Sequence, residues 1–141
     1  YTASRLITQA YEPYLMPLGL TYTQYLVLMV LWENDEQPVN DIGKRLLLGI
    51  NTMSPLIRRM EKAGLLSRHD SPSDKRQQIV FLTAKGHEMR EKCASVPRGM
   101  VADLADCGIE AERVMEIMPV LDEVIEGLNQ RIKPNQQKRK L

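Results

Sequence analysis

The sequence predicts a mainly α-helical chain carrying one small charged β-hairpin, and three observations predict it. Met53, Leu56, Ile57 and Met60 recur at i, i+3, i+4 and i+7, which is one apolar stripe of a helix. Gly64 stands where a left-handed residue would end that helix, and Leu65-Leu66 then enter an extended segment. Ile79-Val-Phe-Leu82 is a short β-branched and aromatic run, so Leu65–Arg68 and Gln77–Leu82 are expected to pair as strands around the turn formers of 69–76. A helix, a glycine stop and a charged hairpin, in that order, form the reading half of a winged helix-turn-helix, with the hairpin as the wing.

The remaining elements follow from the same patterns. Ala3–Leu15 reads as a first helix, with Leu6, Ile7, Ala10 and Tyr14 at helical spacing, interrupted near Pro13 and stopped by Pro17. Thr21 and Gln24 have the spacing of a capping box and open a very apolar helix over Tyr25–Trp32. Glu33–Pro38 is a loop. Val39–Leu48 forms a short helix with Ile42, Leu46 and Leu47 inward. Gly49-Ile50 then turns the chain into the stripe-bearing helix, which completes a helix-turn-helix. After the hairpin, Thr83 caps a helix through Met89 toward Val96, a second piece reaches Cys107, and Gly108 breaks it.

The final helix, from Ile109, carries Val114, Ile117, Met118, Leu121, Val124, Ile125, Leu128 and Ile132 in one stripe, longer than the core of a winged helix can cover. Ala3–Tyr14, including Leu6, and Ile109–Ile132 are therefore expected to interlock with the same helices of a second copy. The expected organisation is one chain over 1–141, with a winged helix-turn-helix region at 21–86. Dimerisation helices flank it at 1–17 and 87–133, and a frayed basic tail closes the chain at 134–141.

The chemistry of residues 51–76 points to nucleic acid. Asn51, Thr52, Ser54 and Pro55 place small or polar groups near the helix start, where base edges are approached, and Arg58 and Arg59 follow for phosphates. Lys75 and Arg76 crown the wing. Residues 58–76 hold six Lys or Arg against three acids, although the whole chain is only +1 with a pI of about 8.0. Positive charge is thus concentrated on the proposed reading surface. The expected partner is double-stranded DNA, as a pseudo-palindromic operator read by a homodimer. Arg76 is expected in the minor groove, and Thr52, Ser54 and Arg58 at the major groove or its bordering phosphates. A winged-helix protein-interaction module is the alternative from another class, and it would lack the linear fall of log affinity with log salt.

Other classes are disfavoured. An apolar content of 43% and a charged content of 26% over 141 residues are ordinary for one globular domain. No uninterrupted apolar run approaches a membrane span and no secretory signal is visible, so a cytoplasmic protein with no membrane role is expected. Two cysteines, Cys93 and Cys107, make no disulfide framework, and no Cys/His spacing suggests zinc, so neither a metal nor a cofactor is expected. Cys93 reads as an inert half-buried thiol. His69 and His87 have no visible nucleophile to serve and no phosphate loop is present, so the chain is not expected to be an enzyme.

The helix layout, the Gly64-Leu-Leu stop, the Asp74-Lys-Arg76 wing and Leu82-Thr-Ala-Lys-Gly86 together resemble the MarR family of dimeric bacterial repressors. Tyr1-Thr-Ala-Ser-Arg5, Tyr11-Glu-Pro, Leu20–Leu28, Leu31-Trp-Glu33 and Thr52-Met-Ser-Pro55 are similar to its organic hydroperoxide resistance branch. That resemblance implies a thiol switch. A reactive cysteine lies on the first helix, a few residues before the position of Tyr1. Tyrosines matching Tyr1, Tyr11 and Tyr22 hydrogen-bond to its sulfur, and organic hydroperoxide oxidises it. Either that cysteine precedes Tyr1, or this is a relative without the sensor. The resemblance leaves Cys107 as a possible resolving thiol. It also admits release by a small phenolic or other aromatic effector in a crevice lined by Tyr11, Tyr14, Tyr22, Met16 and Met29. Where the branch has Asp-Ser-Gly at the start of the reading helix, this chain has Gly49-Ile50-Asn51, which removes an acidic first-turn stabiliser.

Overall fold

The apolar stripe of Met53, Leu56, Ile57 and Met60 is almost wholly out of water, and the elements around it are arranged to cover it. The computed structural model describes residues 1–138, and side chains to residue 132. Two units divide the chain, Tyr1–Pro97 and Arg98–Leu141.

The first unit opens with α1 (Thr2–Leu15), which runs through Pro13 without ending there. A 3₁₀ turn over Met16–Leu18 follows, and Gly19 closes it at φ 70°, a left-handed conformation open to glycine. Helix α2 (Tyr22–Glu33) starts from the expected capping box. The Gln24 N–H donates to Thr21 Oγ1 at 3.4 Å, and the Thr21 N–H donates to Gln24 Oε1 at 2.9 Å. It is apolar around most of its circumference and buries Tyr25, Val27, Leu28, Val30 and Leu31, as the central helix of a small core must.

Helix α3 (Val39–Leu46) and helix α4 (Ile50–Lys62) form the helix-turn-helix. Between them lies a correction to the sequence reading. Leu47 was expected inward, but it takes φ 54° and leaves 57% of its surface exposed. The left-handed turn that ends α3 swings Leu47 outward and lays Leu48 against the core instead. Helix α4 buries its four stripe residues and stops at Gly64, φ 74°, with the Leu65 N–H returning to the Met60 carbonyl at 3.0 Å.

The wing pairs β2 (Leu66–Asp70) with β3 (Gln78–Leu82) antiparallel, in the register Leu66↔Leu82 to Asp70↔Gln78. Leu66, Val80 and Leu82 point into the core. A third strand, β1 (Gln37–Pro38), lies on the other side of β3, where the sequence had suggested only loop. It is two residues long and includes a proline, so it carries almost no pattern and suits only an edge. Asp35, just before it, accepts the Leu82 N–H at 3.0 Å and so fixes this segment to the foot of the wing.

Helix α5 (Ala84–Lys92) is capped by Thr83, whose Oγ1 accepts the Gly86 N–H at 3.2 Å. The chain then breaks at residues 93–95 before α6 (Val96–Asp106), whereas one helix toward Val96 was expected. Pro97 explains the break: a continuous helix would need its N–H for the Cys93 carbonyl, and proline has none. Near the start of a new helix the same residue is tolerated.

In the second unit, α6 ends at Gly108, φ 79°, and α7 (Ala111–Lys138) follows. Its stripe of Ile117, Met118, Leu121, Val124, Ile125, Leu128 and Ile132 stands exposed, with Val114 half-buried. The tail expected to fray from Pro134 continues as helix to Lys138, and residues 139–141 lie outside the described residues.

One close approach locks the wing to α5. A Cβ at Gly86 would lie 2.1 Å from the Leu65 carbonyl oxygen, and the Gly86 carbonyl accepts the Trp32 Nε1–H at 3.0 Å. Gly86→Ala should therefore cost about 3 kcal/mol, the upper range for overpacking. Gly49→Ala, where a Cβ would meet nothing within 4 Å, should change stability by less than about 1 kcal/mol. Urea midpoints of the two variants check the contrast.

Candidate nucleic-acid interface

Burying one side of α4 decides what the other side presents. Asn51, Thr52, Pro55, Arg58 and Arg59 are all exposed, and Ser54 is half-buried at the edge of the row. Asn51, Pro55, Arg58 and Lys62 follow at i, i+4, i+7 and i+11, a stripe directly opposite Met53, Leu56, Ile57 and Met60. The helix starts from Gly49 with no side-chain cap, as the missing acidic residue implied. Pro55 gives no N–H to the Asn51 carbonyl, and the first turn is closed by the Thr52 and Met53 N–H groups, which donate to the Gly49 carbonyl at 3.0 and 2.9 Å.

The wing tip is held by its own acid. Asp74 Oδ1 accepts the Arg76 N–H at 3.0 Å, and the Ser71 N–H donates to the Gln77 carbonyl at 2.9 Å. Ser71 is buried, which anchors the base of the tip. The Arg76 side chain is 96% exposed, and its Nε lies 3.9 Å from Asp74, too loosely placed in water to hold it. Lys75 is exposed beside it.

Between wing and helix the structure supplies a strut that sequence reasoning missed. Arg68 on β2 donates from Nη2 and Nε to Glu61 Oε2 on α4, at 2.7 and 3.2 Å, with both side chains about two-thirds buried. Glu61 had counted only as a negative charge. Near this strut a cleft of about 110 Å³ opens, lined by Asn40, Ser54, Arg68, Arg76, Gln77 and Gln78 together with apolar Pro38, Val39, Ile50 and Ile57. No sequence pattern had grouped Asn40, Arg68, Gln77 and Gln78, because the cleft gathers residues of β1, α3, α4, β2 and β3.

The tyrosines are only partly assembled. Tyr11 on α1 and Tyr22 on α2 lie in tilted contact with ring centroids 4.9 Å apart, and Tyr25, which the sequence had assigned only to the helix, joins at 5.9 Å from Tyr11. Tyr1 is 95% exposed at the far end of α1, ten residues or about 15 Å of helix from Tyr11, so one chain does not bring it into the cluster. Burial raises the pKa of Tyr11 and Tyr22, and among the described residues neither hydroxyl makes a hydrogen bond. Of the other crevice candidates, Met16 and Met29 are exposed and Tyr14 is half-buried. Cys93 is buried, beyond the half-burial expected, and burial pushes its thiol up, which keeps it unreactive. Cys107 is exposed after α6.

Known proteins with this arrangement are regulators. Residues 20–77 match the MarR family. The organic hydroperoxide resistance transcriptional regulator of Bacillus subtilis (strain 168) is 34% identical over 131 residues, covering 93% of this chain and 87% of that protein. The chain belongs to the MarR family. It is a winged-helix transcriptional regulator. Among solved structures, reduced AbfR bound to DNA matches with a TM-score of 0.74 and 37% identity, over 94% of this chain and 88% of that one. Disulfide-formed AbfR matches with a TM-score of 0.62 and 38% identity, over 89% and 85%. Among the described residues, no single helix is long and apolar enough to cross a membrane.

Tyr25 makes the aromatic cluster testable in a single chain. Burial, then the neighbouring Tyr11, Cys93 and Tyr22, push its pKa up to about 12 from 10.0. Above pH 10 the unfolded chain releases this proton while the folded chain keeps it, so stability is full below pH 10 and is lost as pH rises toward 12. Tyr25→Phe should flatten that alkaline limb in urea midpoints measured from pH 8 to 12. An unchanged limb would place the raised pKa elsewhere.

Proposed function

We propose that this chain is a dimeric repressor that holds a pseudo-palindromic DNA operator and is released when an organic hydroperoxide oxidises a cysteine. The observation that carries the DNA reading is the exposed row Asn51, Pro55, Arg58 on α4 beside a wing tip that holds Arg76 in water. A helix face of small and basic groups next to a free arginine suits a major groove and the adjoining minor groove. The relative AbfR, whose structure was solved on DNA, supports the same reading.

Dimerisation is supported by the exposed apolar row on α7 and by Leu6 and Ile7 on α1. A stripe of that length left in water is the mark of an association surface. Two copies would present two reading helices to the two halves of an operator.

The switch reading rests on the unpaired hydroxyls of Tyr11 and Tyr22, and on similarity to a hydroperoxide resistance regulator. In it, a cysteine ahead of Tyr1 meets those hydroxyls across the dimer, with Tyr1 close to it on the first helix. Their hydrogen bonds favour the thiolate and lower its pKa. The sulfur attacks one peroxide oxygen, the O–O bond breaks, an alcohol leaves with a proton, and a sulfenic acid remains. Condensation with a second thiol, with Cys107 as the proposed partner, releases water and forms a disulfide.

Two measurements test these readings. Arg76→Ala should weaken binding to a selected duplex by about 1–3 kcal/mol at matched salt and reduce the salt slope by about one; unchanged affinity would remove the wing from the interface. Changing Tyr11 and Tyr22 together to Phe keeps the rings and removes only the donors. In the full-length protein, DNA binding should survive while release by cumene hydroperoxide slows, followed as release rate against peroxide concentration. A parent protein that ignores peroxide but releases DNA with an aromatic acid would replace the thiol switch by a ligand switch.

A further inference from the structure

We propose that Asn51 reads an adenine and that Ile50 beside it covers the methyl group of a thymine, so that each operator half holds A·T pairs under the start of α4. This deepens, and rests on, the DNA-binding reading above. Three observations converge on it.

Asn51 sits in the first turn of α4, at the middle of the face opposite the buried stripe, on the row that continues through Pro55 and Arg58. It is exposed, and among the described residues its side-chain amide bonds to nothing. An amide so placed has both an acceptor and a donor to offer. Adenine is the base whose major-groove edge matches that pair: its N6–H donates to Oδ1, and its N7 accepts from Nδ2.

The groups that would read guanine are absent from this turn. Guanine shows two acceptors and is read by Arg or Lys. The first cation along α4 is Arg58, seven residues and about 10 Å of helix beyond Asn51. From there, Arg58 and Arg59 are suited to phosphates bordering the groove.

Ile50 supplies the third observation. It is the first residue of α4 and leaves 52% of its surface exposed, on the flank of the helix that faces the wing. A β-branched apolar side chain held in water at a reading surface gains by covering another apolar group, and the thymine methyl is the apolar group of the major groove. Gly49, just ahead, has open space where a Cβ would stand, so the backbone can come close to the bases.

The experiment uses the full-length protein and duplexes that it selects from a randomised library, followed by fluorescence anisotropy at matched salt. The selected half-sites should share adjacent A·T pairs. Asn51→Ala should lose between about fivefold and about a hundredfold on them, and nothing on duplexes carrying G·C at the adenine position. Replacing that adenine by 7-deazaadenine removes only N7, and should weaken the parent but not Asn51→Ala. Replacing the thymine by uracil removes only the methyl, and should weaken the parent but not Ile50→Ser. Asn51→Ala that weakens all duplexes equally, or selected sites with G·C under the helix start, would overturn the inference while leaving DNA binding intact. Absence of salt-dependent binding to any duplex would instead overturn the DNA-binding reading, and this inference with it.

Discussion

Everything the reading head presents depends on one packing constraint, the burial of Met53, Leu56, Ile57 and Met60 beneath α4. Each is at most 2% exposed. At about 2 kcal/mol for a fully buried side chain of this size, the four contribute about 8 kcal/mol before entropy, on the scale of a whole domain's net stability. That sum decides an otherwise unfavourable helix. Its start has no side-chain cap, and Pro55 stands in its interior at a cost of roughly 3 kcal/mol. Local propensity would not hold these residues helical; the stripe does. Because the stripe also fixes rotation about the helix axis, Asn51, Pro55 and Arg58 have only one direction in which to point.

The wing is set by contacts of a different kind. Its inner face alternates Leu66, Val80 and Leu82 into the core, which fixes the register, since a slip of one residue would turn all three outward. Gly86 then brings α5 against the Leu65 carbonyl at a distance no other residue permits, and Asp35 and Trp32 each bond backbone groups at the same foot. The Arg68–Glu61 strut ties β2 to α4. With both side chains partly buried, it is screened less than a surface pair, so wing and helix keep a fixed spacing. Only the tip beyond Ser71 lacks such ties, and it is there that Lys75 and Arg76 stand.

How much of this was legible in the sequence follows from the range of each interaction. The stripe of α4, the Thr21–Gln24 box, the Gly64 stop and the pairing of β2 with β3 are local patterns, and each lies where the sequence placed it within a residue or two. What the sequence did not show depends on residues far apart or on single backbone angles. Strand β1 exists because Gln37 meets Val80, forty-three residues away. Leu47 faces outward because one φ is positive, which a leucine does not advertise. Cleft residues Asn40, Arg68 and Gln78 come from three elements, so no spacing along the chain could gather them. Tyr25 was visible as an apolar helix residue, but its place between Tyr11 and Trp32 depends on how α1 lies on α2.

The two faces of α4 answer to different demands, and this separates fold from specificity. Substitution among Met53, Leu56, Ile57 and Met60 is felt by the whole unit, because a close-packed interior has no room for it. Substitution at Gly49 or Asn51 meets open solvent, with no packing partner to disturb at Gly49 and none bonded to the Asn51 side chain, while Ile50 stands half in water at the edge of the cleft. The chain can therefore keep the family's fold while changing the first turn of its reading helix. In that turn, Gly49-Ile50-Asn51 stands where the resemblance to the hydroperoxide resistance branch implies a different tripeptide. A change of side chain in this exposed turn alters the groups the helix offers without touching the backbone bonds to the Gly49 carbonyl, so its consequences fall on the choice of partner sequence.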